Sequence, residues 1–488
     1  MITRSLMFQG TGSDVGKSLV MAGLCRLMTR RGLRVMPFKA QNMSNNAAVA
    51  ADGGEIGRAQ WLQAVAAGAE PSVHMNPVLL KPQSDRMSQV IVRGKVAATL
   101  SASEYQSYRV SLLPVALESY RRLAEQADIV LVEGAGSAAE INLRRHDIAN
   151  MGFARAAQCP VILIGDIDRG GVIASLVGTH AVLPEADQRM IQGFLINKFR
   201  GDAQLFVDGT AAIETRTGWP ALGLIPHHAP LMQLPQEDSL ALARQEQRDA
   251  PVHVAVLAYP HIANFDDFDP LASEPGVRLT WCREGDALPA DARLVILPGS
   301  KCTMESLAFL KAQGWDIDLR AHHRRGGHIL GICGGFQMLG KSLSDPHGLE
   351  GNAGRAEGLG LLDIATTFSA KKTVAHWQGE MDTGAPVTGY EIHLGVSEGE
   401  AMSRPLFQDR APEGARSEDD RIWGTYVHGI FANDHFRQHV LARLGAAPSS
   451  YRYTQHLWQI LDGWADVLEQ SVSIDRLLSI AAPVPEEA

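Results

Sequence analysis

A glycine-rich turn near the start of the sequence has the composition of a phosphate-binding loop. The stretch MFQGTGSDVGKS, from Met7 to Ser18, lies between an apolar run and an amphipathic pattern, which indicate a strand and a helix. In such loops backbone N–H groups surround an anion at the helix N-terminus, a lysine adds charge and a hydroxyl helps to hold Mg²⁺. The residues expected to contact the nucleotide are Gly12, Asp14, Val15, Gly16, Lys17 and Ser18.

One residue of this loop departs from the strict pattern. Thr11 stands where glycine is usual, and the loop tolerates it if Gly10 and Gly12 carry the turn. The alternative is an ordinary strand–helix turn that contains Gly-Lys-Ser by chance. The strand pattern before the loop and the helix pattern after it favour the nucleotide site.

Polar residues end three further apolar runs in the first half. Glu133 follows IVLV and could hold Mg²⁺, or it could be a solvated acid at a strand end. Asp166 and Asp168 in GDIDRGG could contact a second metal ion or the substrate. Asn197 and Lys198 in LINKF could contact adenine, and a surface strand end is the alternative.

A second turn with chemical potential lies in GHILGICGGFQMLG. This stretch reads as a strand, a tight turn and a helix, and it resembles a nucleophile elbow with Cys333 where hydrolases have serine. The helix N-terminus favours the thiolate form of the cysteine. Backbone N–H groups of Gly334, and of Gly299 and Ser300 in LPGS, could form an oxyanion hole. A buried structural cysteine is the alternative.

A cysteine nucleophile needs a base, and His428 in GTYVHGIF is our candidate. Class I glutamine amidotransferases have a glutamate two residues after this histidine, but this sequence has Ile430. They also have a glutamine one helical turn after the cysteine that supports the glutamine substrate, and Gln337 stands there. Glu391 and His393 in GYEIHLG could orient the site or serve only the structure.

The elements that must position these residues follow an α/β pattern. Apolar runs such as SLMFQ, LRVMPF and ADIVLVEGAG alternate with helical patterns, which is typical of buried parallel strands in a doubly wound sheet. HVAVLAY, VRLTWC and ARLVILPGS begin a second α/β set after the polar, proline-bounded stretch 234–251. The boundaries that we predict are a P-loop domain at 1–235, a linker at 236–250, a second domain at 251–445 and a helical extension at 446–488.

Composition excludes several classes of protein. The 488 residues are 45% hydrophobic and 20% charged, and the net charge of −9 disfavours a nucleic-acid-binding surface. No apolar run reaches the roughly 18 residues that a membrane span needs, and the N-terminus does not read as a signal peptide. The five cysteines form no CxxC pair, so we expect reduced thiols, no structural zinc and a cytoplasmic protein.

The first loop, GTGSDVGKS, is similar to that of dethiobiotin synthetase, which also has threonine at the variable position and uses ATP to activate a carboxylate. The whole chain resembles the adenosylcobyric acid synthase family. The matching stretches, in the family's order, are GTGSDVGKS, PFKAQNMSNNA, VEGAGSAAEINL, DIANMG, GDIDRGGV, INKFRGD, GICGGFQMLG, GYEIHLG and GTYVHGIF. That family lacks the usual glutamate of the triad, so Ile430 agrees with it, and what holds His428 stays open.

The resemblance implies a dethiobiotin-synthetase-like first domain, a class I amidotransferase-like second domain, and a substrate. The family amidates the b, d, e and g carboxylates of adenosylcobyrinic acid a,c-diamide, with one ATP and one glutamine for each amide. Cobalt would arrive within this corrinoid, and we expect none bound by the protein itself. The sequence leaves a homo-oligomer open. The polar residues of KAQNMSNNAAVA that could contact the corrinoid rim, or merely cap a strand, are Lys39, Gln41, Asn42, Ser44, Asn45 and Asn46.

Three other functions fit parts of the sequence. The sister enzyme that amidates the a and c carboxylates of cobyrinic acid shares both halves, but PFKAQNMSNN and DIDRGG favour the present assignment. A partition-type P-loop ATPase would leave Cys333 without a role. A stand-alone glutaminase with a purely structural first half would hydrolyse glutamine whether or not Lys17 were intact.

Overall fold

Two mainly parallel sheets, one in each half of the chain, form the centre of the protein. The computed structural model describes residues 2–83, 87–235, 249–351, 353–408 and 412–485. Residues 236–248 of the predicted linker lie outside the described residues. The prediction of two α/β units, each built on its own sheet, is confirmed.

Among the described residues of the first half, twelve strands and eight α-helices position the site. The strands are β1 (Arg4–Gly10), β2 (Val35–Phe38), β3 (Gln41–Met43), β4 (Ala47–Ala50), β5 (Gly54–Gly57), β6 (Val78–Pro82), β7 (Met87–Val92), β8 (Lys95–Ser101), β9 (Ile129–Glu133), β10 (Val161–Asp166), β11 (Ile191–Phe199) and β12 (Ala221–Pro226). The helices are α1 (Lys17–Arg30), α2 (Arg58–Ala66), α3 (Ala102–Tyr108), α4 (Leu112–Ala124), α5 (Met151–Ala156), α6 (Val172–Val182), α7 (Glu185–Gln188) and α8 (Val207–Thr217).

The remaining elements follow residue 249. The strands are β13 (Val252–Leu257), β14 (Ile262–Ala263), β15 (Val277–Cys282), β16 (Leu294–Leu297), β17 (Gly299–Ser300), β18 (His328–Ile332), β19 (Ser342–Asp345), β20 (Gly354–Glu357), β21 (Ala365–Thr367), β22 (Thr373–Glu380), β23 (Pro386–His393), β24 (Val396–Glu398), β25 (Ala415–Arg416), β26 (Ile422–Thr425), β27 (Val427–His428) and β28 (Ala482–Pro483). The helices are α9 (Asp269–Ala272), α10 (Thr303–Ala312), α11 (Trp315–Arg324), α12 (Gly334–Leu339), α13 (Asp434–Arg443), α14 (Tyr453–Ser471) and α15 (Ile474–Ile480).

The first sheet has the order β12-β11-β10-β1-β9-β2, and these six strands run parallel. Apolar side chains bury both faces, as the continuous apolar runs predict. Because β1 lies between β9 and β10, the loop after β1 meets the carboxyl ends of both neighbours. Ligands of doubly wound sheets bind at this edge, so the topology places the predicted nucleotide residues together.

The segment between β2 and β9 adds two small sheets that the sequence analysis did not predict. One has the order β3-β6-β7-β8, and the other is the hairpin of β4 and β5. Their strands are mostly short, and several carry glycine or alanine, which weakens the alternation that identifies a strand. This segment contains the amide-rich stretch 39–50.

The second sheet has the order β15-β13-β16-β18-β26-β25, with only β25 antiparallel to its neighbour. Separate short strands extend from it, including the antiparallel set β22-β23-β27. The β23–β27 pairing places Tyr390 opposite His428. The β14–β17 pairing places Ile262 opposite Ser300. These two pairings bring the loops that carry the candidate catalytic residues to the carboxyl end of β18.

The last segment, predicted as a helical extension, packs on the first domain. Trp464 of α14 is fully buried, and its Nε1 donates to the Leu19 carbonyl of α1 at 2.8 Å. The Arg26 guanidinium pairs with Asp462 at 2.7 Å. Strand β28 adds to β1 in antiparallel direction. The chain therefore returns from the second domain and completes the core of the first.

The two domains also meet directly through the hairpin β4–β5. An apolar cluster joins Ala47, Val49, Leu79 and Ile91 of the first domain to Tyr390 and Ile392 of the second. The Asn264 side chain, from the second domain, donates to the Ala47 carbonyl at 2.5 Å and to the Tyr390 hydroxyl at 2.9 Å. The amide-rich stretch therefore lies at the interface between the domains.

Candidate active site

The loop after β1 has the backbone form of an anion-binding site. Gly16 has φ 91°, and a Cβ there would lie 2.3 Å from Asn197 Nδ2, so only glycine fits. The Lys17 ammonium reaches back over the loop and donates to the carbonyls of Gly12 at 3.1 Å and Gly136 at 2.9 Å. The helix N-terminus and the lysine charge thus converge on one point, as a phosphate site requires.

Glu133 is fully buried at the end of β9 and joins three polar side chains at this site. Its Oε1 accepts hydrogen bonds from Ser18 Oγ at 2.7 Å and from Lys39 Nζ at 2.9 Å. Its Oε2 accepts one from Gln63 Nε2 at 2.6 Å. The structure therefore places Lys39, predicted to contact substrate, beside the candidate metal ligands Ser18 and Glu133. No local pattern identified Gln63, because its partners are distant in the chain.

The acids after β10 lie at the rim of the same loop. Asp166 Oδ2 pairs with Lys198 Nζ at 2.7 Å, and the more exposed Asp168 pairs with Arg200 at 2.8 Å. Asn197 Nδ2 donates to the Val15 carbonyl at 2.8 Å and supports the loop from beneath. Asp166, Asp168, Asn197 and Lys198 thus gather around the loop, while their contacts with substrate or adenine remain predictions.

The amide-rich stretch leads from the nucleotide site toward the second domain. Gln41 Oε1 accepts a hydrogen bond from the Tyr105 hydroxyl at 2.7 Å, and Asn42 Nδ2 donates to Gln60 Oε1 at 3.0 Å. Ser44 is buried and caps its own turn through the Asn46 N–H at 3.0 Å. Part of this predicted substrate surface is therefore used by internal hydrogen bonds. Asn45 Oδ1 is buried and accepts no hydrogen bond from the described residues.

In the second domain Cys333 occupies the turn between β18 and α12. Its φ of 53° and ψ of −112° are sparsely populated for a side chain other than glycine, as in a nucleophile elbow. Gly335 allows this turn to pack closely, since a Cβ there would lie 1.9 Å from the Leu297 carbonyl oxygen. The residues after β16 are also close, because a Cβ on Gly334 would lie 3.0 Å from the Ser300 nitrogen. Gly299, Ser300 and Gly334 therefore lie next to Cys333, where an oxyanion hole is predicted.

His428 lies beside this turn and is held by a carboxylate that the sequence analysis did not identify. His428 Nδ1 is 2.7 Å from Asp267 Oδ2, and Asp267 Oδ1 accepts the Gly429 N–H at 2.8 Å. Both side chains are buried. Burial alone would lower the pKa of His428, but the charge and hydrogen bond of Asp267, with a contribution from Cys333, raise this pKa to about 10.

This arrangement combines a cysteine, a histidine and a carboxylate, because Cys333 and Asp267 both act on the His428 ring. Ile430, which stands where class I amidotransferases have the glutamate of the triad, is fully buried among apolar residues. Asp267 belongs to the acidic stretch FDDFD, 161 residues before His428. This acidic stretch was the only local sequence feature that pointed to Asp267, and it does not distinguish Asp267 from the other aspartates in the stretch.

The pocket next to Cys333 has walls from both domains. Gln337 lines it and is anchored by a hydrogen bond from its Nε2 to the Leu394 carbonyl at 2.8 Å. His393 also lines it and stacks on Tyr426 with ring centroids 3.9 Å apart. Burial lowers the pKa of His393 to about 4, so this ring is neutral at physiological pH. Glu391 is half-buried, and burial raises its pKa.

The first domain contributes Gln83 and Gln89 to the same pocket. The Cys302 thiol, in the loop next to Ser300, donates to the Gln83 carbonyl at 2.8 Å. The pocket therefore opens at the domain interface. Among the described residues, no helix combines the length and the apolar character that crossing a bilayer requires.

Comparisons with known proteins agree with this division of the chain. Residues 6–241 match the family model of the CobQ/CobB/MinD/ParA nucleotide-binding domain. Residues 253–436 match that of the CobB/CobQ-like glutamine amidotransferase domain. Both matches correspond to the two sheets described above, and they confirm the predicted fold classes.

Curated relatives extend over the whole chain. A cobyric acid synthase of Methylorubrum populi is 55% identical over 488 residues, which cover 99% of this chain and 100% of the relative. Cobyric acid synthases of Methylobacterium nodulans and Cereibacter sphaeroides are each 56% identical, over 488 and 479 residues. They cover 99% and 98% of this chain and 100% and 99% of the relatives. The resemblance inferred from the sequence motifs is thereby confirmed, and this chain belongs to the cobyric acid synthase family.

Proposed function

We propose that this protein amidates the b, d, e and g carboxylates of adenosylcobyrinic acid a,c-diamide, using ATP and glutamine. Because it belongs to the family, the protein is a glutamine-dependent ligase of cobalamin biosynthesis. The observation that carries the proposal is the pocket at Cys333, whose walls come from both the glutaminase and the nucleotide-binding domain. A nitrogen source made there is released toward the domain that would activate the carboxylate.

The glutaminase step follows from the geometry around Cys333. The thiolate attacks the amide carbon of glutamine, and backbone N–H groups near Ser300 and Gly334 stabilise the oxyanion. The protonated His428, held by Asp267, gives its proton to the nitrogen, which leaves as ammonia. Water then hydrolyses the thioester to glutamate, and a proton returns to His428.

The ligase step belongs to the first domain. A corrinoid carboxylate oxygen attacks the γ-phosphorus of ATP, so that ADP leaves and an acyl phosphate forms. Lys17, which now contacts backbone carbonyls, would turn to the phosphate oxygens. Ammonia then attacks the acyl carbon, loses a proton and expels inorganic phosphate. The amide product results without water having to be activated.

Ser18 and Glu133 are the residues that fit Mg²⁺. Their oxygens lie 2.7 Å apart, and hydroxyl and carboxylate oxygens are ligands that Mg²⁺ prefers. The bound ion would offset the negative charge of the phosphates. Lys39 shares the Glu133 carboxylate and adds a second positive charge to this region. We further propose a cytoplasmic setting, because the five cysteines are free thiols.

Mass spectrometry of the corrinoid products tests this function. The a,c-diamide incubated with ATP, Mg²⁺ and glutamine should pass through four successive acid-to-amide conversions. If the protein instead amidated only cobyrinic acid to its diamide, the sister activity would replace the proposal. If it formed no amide from either corrinoid with glutamine or ammonium salts, the proposed reaction would be wrong.

A further inference from the structure

At the pocket beside Cys333, the lysine ammonium groups outnumber the carboxylates that form ion pairs with them. Lys301 and Lys372 both line the pocket. Lys372 is only 12% exposed and contacts Glu55, which also pairs with Lys81 at 2.7 Å. No carboxylate of the described residues forms an ion pair with Lys301. Burial and the neighbouring Lys81 lower the pKa of Lys301 to about 8, which reflects this imbalance.

A carboxylate lies on another wall of the same pocket. Glu350 accepts a hydrogen bond from the Thr303 N–H at 2.9 Å. Burial raises its pKa to about 7, while the Thr303 hydrogen bonds and Lys301 favour its charged form. The pocket therefore offers ammonium groups and a carboxylate together. This is the charge complement of the head group of a free α-amino acid.

We propose that Lys301 and Lys372 bind the α-carboxylate of glutamine and that Glu350 binds its α-ammonium group. The side-chain amide would then extend to Cys333. This inference rests on the glutaminase half of the proposed function. Lys372 also donates to Gln89 Oε1 at 3.0 Å, so a residue of the first domain holds one of the two binding lysines. The site selects free glutamine and is complete only when both domains are in place.

The substitution Lys301→Met tests the assignment. Loss of one charge-assisted contact should raise the KM for glutamine roughly 10- to 100-fold. Amidation with ammonium chloride should keep its wild-type KM for the corrinoid. The melting temperature of the unliganded variant should not fall, because the change removes a partly buried cation without a carboxylate partner.

Lys81→Met is the matched control. Lys81 pairs with Glu55, as Lys372 does, but Lys81 does not line the pocket. Its KM for glutamine should stay within about threefold of wild type. An unchanged KM in Lys301→Met, or an equal rise in both variants, would overturn the proposal. A raised KM of Lys301→Met for the corrinoid in the ammonium assay would also overturn the proposal. That result would mean that the lysines bind corrinoid carboxylates instead of glutamine. Failure of the wild-type protein to amidate at all would instead refute the proposed function.

A second, independent observation concerns helix α2 of the first domain. Arg58, its first residue, places Nε 2.7 Å from Asp266 Oδ2, and both side chains are largely buried. Asp266 adjoins Asp267, the residue that holds His428. The nucleotide-binding domain therefore supplies the counter-charge next to the catalytic carboxylate. Without Arg58, Asp266 would be a second buried carboxylate beside Asp267 and would lose the cation that faces it.

The same helix reaches the nucleotide site. Gln63, five residues later, donates to Glu133 at 2.6 Å and to the Ser18 carbonyl at 3.2 Å. We infer that Arg58 is a positioning residue, through which the first domain holds Asp267 and His428 in their working arrangement. This inference also rests on the glutaminase half of the proposed function.

Glutamate release by Arg58 variants tests this role. Arg58→Ala should lower the kcat for glutamine hydrolysis roughly 10- to 100-fold with little change in KM, since Arg58 does not line the pocket. Arg58→Lys should restore part of the loss, because it restores the charge. Arg26→Ala removes another Arg–Asp pair of 2.7 Å, far from the thiol in the fold, and should leave kcat unchanged. Equal kcat in Arg58→Ala and wild type, or a rise confined to KM, would refute the inference.

Discussion

The carboxylate of Asp267 is the strongest basis for a prediction, because its charge and hydrogen bond contribute most to raising the pKa of His428. We consider Asp267→Asn, which keeps the size of the side chain and removes its charge. The difference between a pKa of 6.5 and one of about 10 corresponds to about 5 kcal/mol in favour of the imidazolium. With the charge removed, burial is the dominant remaining influence and favours neutral imidazole.

The expected consequence is a loss of glutaminase activity. A neutral His428 can neither stabilise the Cys333 thiolate nor donate a proton to the leaving nitrogen, so kcat should fall by roughly 10²- to 10⁴-fold. Folding stability should change as well. The folded-state pKa of His428 lies above its unfolded value, so the pair stabilises the fold fully below pH 6.5 and loses this contribution as pH rises toward 10. Asp267→Asn should remove that pH dependence.

The assay measures glutamate release and, in parallel, corrinoid amidation with ammonium chloride. Asp267→Asn should lose the first and keep most of the second. Asp269→Asn is a matched control two residues away, because His428 Nδ1 contacts Asp267 and not Asp269, while burial raises the pKa of Asp269 well above its ordinary range. Its rate should stay within about threefold of wild type. If Asp267→Asn released glutamate at the rate of Asp269→Asn, the assignment of Asp267 would be wrong.

Four further substitutions test separate parts of the molecule. Cys333→Ala and His428→Ala should each abolish glutamine-dependent amidation but keep the ammonium-dependent rate, and loss of both rates would contradict separable halves. Lys17→Ala should remove amidation with either nitrogen source, measured as phosphate release and amide product, and full activity would refute the phosphate site. Gly23→Ala would place a Cβ 2.3 Å from the Trp464 ring. The cost of overpacking, about 1–3 kcal/mol, should exceed the gain in helix propensity, so the melting temperature should fall. An unchanged melting temperature would mean that α14 does not pack on α1 as described.

The two local motifs could be predicted because each is continuous in sequence. A strand, a glycine-rich turn and a helix follow one another at Lys17 and again at Cys333. Backbone geometry within such a unit depends on neighbouring residues, so glycine positions and apolar periodicity carry the information. Ser18 and Glu133 were each predicted to hold Mg²⁺, and the structure places them side by side because carboxyl ends of adjacent parallel strands meet at one edge.

Contacts between distant segments were not predictable in the same way. No local pattern predicted that Lys39 pairs with Glu133, a contact that arises because β2 lies next to β9, and its contact with substrate stays a prediction. Asp267 could not be distinguished from Asp266 and Asp269 by residue type. The structure separates them, since only Asp267 faces His428 while Asp266 faces Arg58.

The amino-acid sequence by itself determined the two local turns of this protein and predicted their chemistries, phosphate binding at one turn and a nucleophilic thiol at the other. Only the tertiary structure decided how they are combined. It brought Asp267 to His428, closed the Cys333 pocket with residues of the first domain, and returned the last helices to α1. The physical reason is that side-chain type and local spacing encode a turn, whereas partners across hundreds of residues are selected by packing and burial, which no local pattern specifies.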